Sequence, residues 1–480
     1  MRQEVAELKA EYPSHETSDA RLPIDRSLRT RQSEALGNAY YLDRQTGFES
    51  NARTYPRKLP IAIRRAEGIF VEDTDGRRYI DCLAGAGSLA LGHYHPVVVE
   101  AVQCAVADGV PWQTLDLTTP IKDAFVEQLF DSLPREFTAS ARIQFCGPSG
   151  ADAIEAALKL VKTATGRRSI LAFHGAYHGM THGALGLTGE TGPKLAVAGL
   201  MAEVHFLPFP YAYRCPFNLG GEATWQASIA YIERLLDDTN SGITPPAAMI
   251  LEAVQGEGGV IPAPDGWLKE IRRITRERDI PLIVDEVQTG VGRTGRLYAF
   301  EHAGILPDVL VLSKAIGGGL PLSVVVYHES LDQWQPGAHA GTFRGNQLAM
   351  AAGTATLRFV KEQGLDEYAG KMGERLMEHL RHIKANFPSL GDIRGRGLMI
   401  GVEVEDARSA PDRLGAYPTY PELARRIQKE CLERGLILEL GGRKGSVVRF
   451  LPPLIVTTDD IDRIVAIFYD AVEAVLKPMD

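Results

Sequence analysis

The sequence predicts an α/β fold with a large, mostly parallel sheet covered by helices on both faces, together with a smaller α+β domain. Two observations predict it. From about residue 95 to 330, helical patterns alternate with short apolar runs, which is typical of parallel strands joined by helices. After about residue 346, long helical stretches and shorter strand patterns indicate a separate α+β unit.

The predicted parallel sheet is based on five apolar runs that have the length of strands. They are "RIQFCG", "SILAFHG", "AAMILEAV", "PLIVDEV" and "DVLVLSKA". Between them, "GADAIEAALKLVKTAT" carries apolar residues at helical spacing. In the C-terminal unit, "LAMAAGTATLRFVKEQG" and "LARRIQKECLERG" predict helices, and "GLMIGVEV" and "VVRFLPPLIV" predict strands.

The chain divides into three predicted units. Residues 1–50 are polar and are interpreted as a peripheral arm, whereas "GIFVEDTDGRRYIDCLAG" alternates apolar and polar residues around "TDG", as a β-hairpin does. We assign residues 1–94 to the arm and a small antiparallel segment. Residues 95–345 form the predicted large α/β domain that binds the cofactor inferred below, and residues 346–480 form a C-terminal α+β domain.

Composition favours small-molecule chemistry. The formal net charge is −9 and the chain has no block of like charges, so neither nucleic acid nor an anionic membrane is an expected partner. Five cysteines without CxxC spacing argue against a disulfide framework and against a thiolate metal site. Because no apolar run could span a bilayer and the first residues are charged, we expect a soluble cytoplasmic protein that uses no metal.

Unusual residues follow three of the predicted strands. "QFCGPSGADAIEAA" runs from a strand through a Ser-Gly turn into a helix, whose N-terminal N–H groups can bind an anion. "LIVDEVQTGVGRTG" places two acids after a strand, and "VLVLSKAIGGG" places Lys314 after another. Since ligands bind beyond the carboxyl ends of parallel strands, a phosphate site, the Asp285 carboxylate and Lys314 are expected to share one crevice.

This set of groups suits pyridoxal phosphate (PLP). A lysine at the end of an apolar strand is desolvated, so the Lys314 amine can be neutral and can form a Schiff base with an aldehyde cofactor. The glycines after Lys314 leave room for the ring. A carboxylate such as Asp285 beside the pyridine nitrogen raises the pKa of that nitrogen and keeps it protonated.

Each motif alone has a more ordinary explanation. A lysine beside glycines is usually in a solvated loop, a Ser-Gly turn is usually a helix start capped by Ser149, and an acid pair after a strand is usually exposed. Their order within an alternating α/β pattern makes a chance combination much rarer.

If the chain were a non-catalytic binding or assembly protein, we would expect Lys314 or Asp285 to be lost, and both are present. A dehydrogenase is set aside because no GxGxxG follows a strand with an acid about 20 residues further on.

Seven segments in chain order carry a resemblance to a known family. They are "FCGPSGADAIEAALKL", "FHGAYHGMT", "LEAVQGEGG", "LIVDEVQTGVGRTG", "LSKAIGGGLP", "GTFRGNQLA" and "VVRFLPPL". With them, the sequence resembles the class III (ω-amino acid) aminotransferases of PLP fold type I over about residues 55–475. The resemblance implies PLP as cofactor, amino acid and 2-oxo acid substrates, and a homodimer with active sites at its interface.

The resemblance also implies roles for individual residues. Lys314 would form the Schiff base with PLP and move the proton of the reaction, and Asp285 would pair with the pyridine nitrogen. Thr342 would reach the phosphate of the neighbouring subunit. The other implied cofactor-binding residues hold the phosphate or lie beside the ring: Ser149, Gly150, Ala151, Tyr177, His178 and Gln288.

Two further residues imply how one site could accept two substrates. Arg449 matches the arginine that binds the α-carboxylate of 2-oxoglutarate or glutamate, a task suited to its planar donor fork. Glu257 matches the acid that pairs with this arginine when an ω-amine substrate is bound. Glu252, at the end of "AAMILE", is assigned as a supporting partner. Without the resemblance, Arg449 would be interpreted as part of a surface salt bridge and Glu257 as an ordinary loop acid.

The segments "FCGPSGADA", "YHGMT" and "TFRGNQLA" together resemble those of diaminobutyrate–2-oxoglutarate transaminases. This resemblance implies interconversion of L-2,4-diaminobutyrate plus 2-oxoglutarate with L-aspartate 4-semialdehyde plus L-glutamate. Two positions depart from the general pattern: Ala151 replaces a common threonine, and Met180 stands where ornithine and 4-aminobutyrate aminotransferases carry an arginine. Those two enzymes and a glutamate-1-semialdehyde aminomutase are the alternatives. Candidates to bind the distal carboxylate of glutamate are Arg344, Arg57 and Tyr55.

Overall fold

The computed structural model describes residues 36–476 of the chain. Residues 1–35 of the predicted peripheral arm therefore lie outside the described residues, as do residues 477–480. Within the described range, no helix combines the length and the apolar character that crossing a bilayer requires.

The strands are numbered β1 to β17 in chain order. Their bounds are β1 Ile63–Glu67, β2 Phe70–Asp73, β3 Arg78–Asp81, β4 Ala141–Phe145, β5 Ile170–Phe173, β6 Val204–Leu207, β7 Ala248–Leu251, β8 Val254–Gln255, β9 Ile261–Pro262, β10 Leu282–Asp285, β11 Val309–Leu312, β12 Val324–His328, β13 Leu390–Arg396, β14 Met399–Val404, β15 Leu436–Ile437, β16 Glu439–Gly441 and β17 Val447–Phe450. The five predicted strands of the large domain correspond to β4, β5, β7, β10 and β11, which confirms them.

The α-helices are numbered α1 to α14 in the same way. Their bounds are α1 Asn38–Phe48, α2 Tyr55–Lys58, α3 Pro96–Ala107, α4 Pro120–Ser132, α5 Arg135–Thr138, α6 Gly150–Thr165, α7 His182–Leu187, α8 Gly192–Leu195, α9 Glu222–Asp237, α10 Asp265–Glu277, α11 Gln347–Glu362, α12 Leu365–Asn386, α13 Pro421–Glu433 and α14 Thr458–Leu476. The predicted helices are confirmed as α6, α11 and α13.

The central sheet has seven strands in the order β4-β12-β11-β10-β7-β5-β6. Strand β12 is antiparallel to both of its neighbours, β11 and β4, and the other neighbouring pairs are parallel. The predicted mostly parallel sheet is therefore confirmed. Its strands β7, β10 and β11 are buried at every position, as expected for a sheet with helices on both faces.

Helix α6 shows how local sequence sets the edge of the sheet where ligands are expected. Ser149 caps the helix by accepting a hydrogen bond from a backbone N–H of the first turn, and Gly166, with φ of 66°, ends it in the left-handed conformation. Ile154, Leu158 and Val161 lie at helical spacing and are buried. The packed face of α6 thus holds its N-terminus beside the ends of β4 and β10.

In the part of the chain that the structure describes, an N-terminal segment and a C-terminal segment pair in one small sheet. Strands β2 and β3 pair antiparallel on either side of "TDG", which confirms the predicted hairpin, and β15 pairs parallel with β3. A second sheet has the order β13-β14-β17-β16. The strand predicted at "VVRFLPPLIV" ends earlier than expected, at Phe450, because Pro452 and Pro453 have no N–H to donate. The boundaries at residues 94 and 345 stay predictions.

Helix α11 packs directly against the turn Lys314–Gly317. A Cβ atom on Gly353 would lie 2.0 Å from the carbonyl oxygen of Ile316 and 2.9 Å from Cε2 of Phe125. Side chains do not pack that closely, so the glycine allows the helix to touch the turn that carries Lys314. Gly370 on α12 is different, because its Cβ would meet the Cα of Gly295 at an ordinary 3.7 Å.

We expect Gly353→Ala to lower the free energy of unfolding by about 1–3 kcal/mol, since the added methyl overpacks the contact with the lysine turn. The matched control Gly370→Ala has space for its methyl in a helix and should be neutral or stabilising by up to about 1 kcal/mol. Urea unfolding of both variants measures the difference. Equal stability of the two variants would contradict the argument.

Candidate active site

A cavity of about 300 Å³ opens where the strands of the central sheet end. Its walls come from the segments that follow β4, β5, β7, β10 and β11. Most of the residues assigned to the site from sequence line this cavity: Ser149, Gly150, Ala151, Tyr177, His178, Glu252, Glu257, Asp285, Gln288 and Lys314. The carboxyl edge of the sheet thus gathers residues that are far apart in the chain.

Lys314 begins a short 3₁₀ helix two residues after β11 and has φ of 51°, which is uncommon for a residue with a side chain. Burial lowers the pKa of the Lys314 amine, and the nearby carboxylates of Glu257 and Asp285 offset part of that shift. A lysine in this state has a larger share of neutral amine near neutral pH. It can therefore act as a nucleophile or take a proton.

Asp285 is the last residue of β10, and only 5% of it is exposed. Its Oδ2 lies 2.7 Å from Nδ1 of His178, and its Oδ1 accepts a hydrogen bond from the backbone N–H of Val287 at 3.0 Å. Nε2 of His178 is buried without a hydrogen-bond partner. The imidazole and the backbone therefore hold the carboxylate in one orientation at the cavity wall.

The acid pair after β10 divides into two roles. Glu286 is fully buried, and its carboxylate accepts hydrogen bonds from Thr289 and from the backbone N–H groups of Ala299 (3.0 Å) and Phe300 (2.8 Å). Burial raises the pKa of Glu286 to about 7. Glu286 thus organises the loop behind the site, whereas Asp285 faces the cavity.

The N-terminus of α6 forms one end of the cavity. A Cβ on Gly150 would come within 2.8 Å of Cγ1 of Val287, so a side chain is excluded at the point where the helix meets the loop after β10. The Ser149 hydroxyl accepts from the backbone N–H of Asp152 at 3.3 Å. The remaining N–H groups of the first turn have no partner within the helix and suit an anion such as a phosphate.

Glu252 connects two loops of the site. Its Oε1 accepts from the backbone N–H of Tyr177 and its Oε2 from that of Gly256, both at 2.9 Å. Burial raises the pKa of Glu252 to about 7. The carboxylate therefore fixes the turn that carries Tyr177 relative to the loop that carries Glu257.

Arg449, on β17, is completely buried and contacts Glu257 and Gln288, which line the cavity. Its Nη1 lies 2.6 Å from Oε1 of Glu257 and 3.2 Å from Oε2 of Glu439, and its Nη2 donates to Oε1 of Gln288 at 2.8 Å. Tyr55 donates its hydroxyl to the other oxygen of Glu439 at 3.0 Å. A buried guanidinium thus has two acidic partners beside the cavity that contains Lys314.

Several residues that the sequence analysis named do not line this cavity. Thr342 is exposed in a separate 3₁₀ turn, and its predicted contact with the phosphate of the neighbouring subunit stays a prediction. Arg344 pairs with Asp116, and Arg57 bonds Asn51. Of the candidates for the distal carboxylate, Tyr55 comes nearest to the site, where it contacts an acid.

Glu439 is a charged residue beside the site that the sequence analysis missed. It lies in "LILELGG", where an acid stands within an apolar strand. A charged side chain in such a position is seldom buried without a partner, and that was the available signal. The partner, Arg449, could be found only from the pairing of β16 with β17, in which these two residues are opposite each other.

Comparison with known proteins agrees with the predicted fold and family. The family model described as "Aminotransferase class-III" matches residues 51–472. A diaminobutyrate–2-oxoglutarate aminotransferase of Rhizobium meliloti (strain 1021) is 59% identical over 432 residues, which cover 90% of this chain and 92% of that protein. One from Haemophilus influenzae is 50% identical over 446 residues, 93% of this chain and 98% of that protein.

Among solved structures, an ornithine aminotransferase from Toxoplasma gondii, described with partial occupancy of PLP at its active site, matches with a TM-score of 0.77 and 27% identity. The match covers 92% of this chain and 95% of that one. The fold and the lysine-bearing cavity define a transaminase of PLP fold type I, as the sequence predicts. The chain belongs to the class III aminotransferase family.

The pH dependence of stability provides a test of the buried acid behind the site. Folding raises the pKa of Glu286 from 4.5 to about 7, so the folded state holds the carboxyl proton more tightly than the unfolded state does. The free energy of unfolding therefore does not depend on this group below pH 4.5, and it falls as the pH rises from 4.5 to 7. We expect the free energy of unfolding of Glu286→Gln, relative to wild type, to rise by up to about 3 kcal/mol between pH 5 and pH 8. Urea unfolding across this range measures the change, and parallel curves would contradict it.

Proposed function

We propose that the protein transfers the γ-amino group of L-2,4-diaminobutyrate to 2-oxoglutarate, forming L-aspartate 4-semialdehyde and L-glutamate, with PLP as cofactor. The observation that carries the proposal is the contact between Arg449 and Glu257 at 2.6 Å beside Lys314. It gives one site a carboxylate-binding arginine that an acid can cover. The relatives that are 59% and 50% identical carry the name of this activity.

The residues around the cavity fit PLP. The cavity volume of about 300 Å³ suits a single substituted pyridine ring. Around the cavity, Lys314 offers an amine, Asp285 a carboxylate and the α6 N-terminus N–H groups that can bind an anion. Nε2 of His178 is buried without a partner and can make one more hydrogen bond. When bound, PLP supplies an aldehyde that links covalently to amines and a ring that withdraws electrons from the adjacent carbon.

Each residue then has a defined task. Lys314, whose amine has a lowered pKa, takes the proton from the substrate carbon that bears the reacting amine. The same amine then returns the proton two atoms away, as the 1,3-shift of the reaction requires. Asp285, fixed by His178, would place a negative charge beside the ring nitrogen of bound PLP. Tyr177, whose backbone is held by Glu252, would cover the ring of bound PLP on one side and limit access of water.

Arg449 and Glu257 let one site accept two different substrate ends. With diaminobutyrate, Glu257 stays on Arg449 and neutralises it, so the far amine of the substrate reaches Lys314. With glutamate, the α-carboxylate displaces Glu257 and binds the guanidinium through paired hydrogen bonds. The side chain of Glu257 is 34% exposed and can leave, whereas that of Arg449 is fully buried and stays.

We also propose a homodimer, with Thr342 reaching the neighbouring site. Segment 112–117 runs beside segment 342–347, and the two are joined by a bridge between Gln113 and Asn346. Trp112, Leu117 and Phe343 on these segments are each more than half exposed. Such a cluster of large apolar side chains is typical of an interaction surface, and a second copy would cover it.

The proposed working compartment is the cytoplasm. All five cysteines of the chain are free, and four of them are buried. A chain of this kind needs no disulfide for its stability and suits a reducing environment.

The activity is tested by mixing the purified holoenzyme with L-2,4-diaminobutyrate and 2-oxoglutarate and measuring glutamate by chromatography. We expect glutamate from the wild type, and a loss of roughly 10³-fold or more in Lys314→Ala because the nucleophile and proton carrier is removed. The control Lys371→Ala, an exposed lysine on α12, should keep full activity. Turnover with ornithine or 4-aminobutyrate but none with diaminobutyrate would refute the substrate assignment.

The dimer is tested by sedimentation velocity. The wild type should sediment with twice the chain mass, and Phe343→Asp should shift it towards the monomer because a charge replaces an exposed apolar contact. Tyr231→Asp, an exposed aromatic on α9, is the matched control and should leave the dimer intact. A wild-type enzyme that is monomeric and fully active would contradict the proposal.

A further inference from the structure

Arg449 has a second acidic partner that the exchange of Glu257 for substrate does not need. Glu257 and Glu439 both contact Nη1 of Arg449, at 2.6 Å and 3.2 Å. One carboxylate is enough to neutralise one guanidinium. The additional negative charge of Glu439 must therefore affect whatever replaces Glu257 on this nitrogen.

Glu439 is fixed in place by the backbone. It lies on β16 directly opposite Arg449 in the antiparallel pairing with β17. Its side chain is only 6% exposed, and Tyr55 donates a hydrogen bond to its Oε1 at 3.0 Å. Burial and the two contacts, with the Tyr55 hydroxyl and with Arg449, hold this carboxylate on the guanidinium.

Glu257 is placed differently. It lies in the loop after β8 and borders both the cavity of about 300 Å³ around Lys314 and a neighbouring cavity of about 780 Å³. Because Glu257 lies outside the strands and its side chain is 34% exposed, its departure from Arg449 requires no movement of a strand. Of the two acids on the guanidinium, one is therefore free to leave and the other must remain.

We propose that Glu439 determines which end of an amino acid the site accepts, because it remains on Arg449 as a fixed counter-ion and weakens the binding of α-carboxylates there. The inference deepens the proposed function and depends on it. Diaminobutyrate could also dock by its own α-carboxylate, in which case the α-amino group would be transferred and 4-amino-2-oxobutyrate would form. Glu439 disfavours that orientation.

The physical basis is repulsion between like charges in a buried site. With Glu257 displaced, a substrate carboxylate on Arg449 lies beside the Glu439 carboxylate, and in a desolvated pocket this repulsion is only weakly screened. Glutamate has a second carboxylate that can make a further contact and offset this repulsion. A substrate with a single carboxylate has no such compensation, so it binds better by its far amine, with Glu257 still on Arg449.

The test compares donors in single-turnover reactions of the PLP-loaded enzyme, followed by the absorbance of the cofactor. L-alanine can dock only by its α-carboxylate, whereas diaminobutyrate can dock by either end. In Glu439→Gln, we expect kcat/KM for alanine to rise about tenfold, the effect of removing one repulsive charge at partial burial. The share of diaminobutyrate converted to 4-amino-2-oxobutyrate, measured against the γ-amine product of the same reaction, should rise by a similar factor.

Two matched variants control the result. Glu439→Asp keeps the charge and should retain the wild-type preference, whereas Glu433→Gln removes a charge from the exposed face of α13 and should change nothing. The glutamine at 439 can still accept from Arg449 and donate to the hydroxyl of Tyr55, so folding should be preserved. A fall in alanine turnover, or equal losses for all donors, would show that Glu439 only braces Arg449 and would overturn the proposal.

A binding measurement gives a readout that needs no turnover. The PLP form holds no amino group to donate, so calorimetry with 2-oxoglutarate reports binding alone, and Glu439→Gln should tighten it about tenfold. Unchanged or weaker binding would overturn the inference. Because alanine and 2-oxoglutarate are tested without diaminobutyrate, these results decide the role of Glu439 even if diaminobutyrate proves not to be the substrate.

Discussion

The removal of charged side chains from water at one edge of the central sheet is the constraint on which the site depends. Each charge there must be neutralised or paired, since an isolated ion in such an environment is costly. The Lys314 amine responds with a lowered pKa, Asp285 contacts His178, and Arg449 takes two carboxylates. The same desolvation makes each of these electrostatic interactions stronger than it would be on the surface. The charge and the orientation of each group in the site are therefore set by the residue that it contacts.

The acids of the site differ in how firmly the backbone holds them. Asp285 and Glu286 are neighbours in sequence, yet one contacts an imidazole at the cavity wall and the other anchors a loop behind it. Glu439 lies in a strand opposite Arg449, whereas Glu257 lies in a loop and is partly exposed. In our proposal, an exchangeable acid beside a fixed one allows a single guanidinium to receive some carboxylates and reject others.

The site is built from distant parts of the chain. Tyr55 comes from the N-terminal segment, Lys314 from the central sheet and Arg449 from the C-terminal unit, and the pairing of β15 with β3 joins the two ends. Helix α11 in turn supports the lysine turn through a glycine contact. Catalytic geometry therefore depends on the folding of the whole described chain, since no single segment contains the arginine, its acids and the lysine.

The sequence alone determined the α/β class, the five parallel strands and the places where Lys314 and Asp285 leave them, because apolar runs and helical spacing are local properties of the chain. It did not identify β12 as the reversed strand, Glu286 as a loop anchor or Glu439 as a partner of Arg449. Those features depend on which strands become neighbours and which side chains lose water together. Only the tertiary structure decides such pairings, because they join residues that the local pattern does not relate.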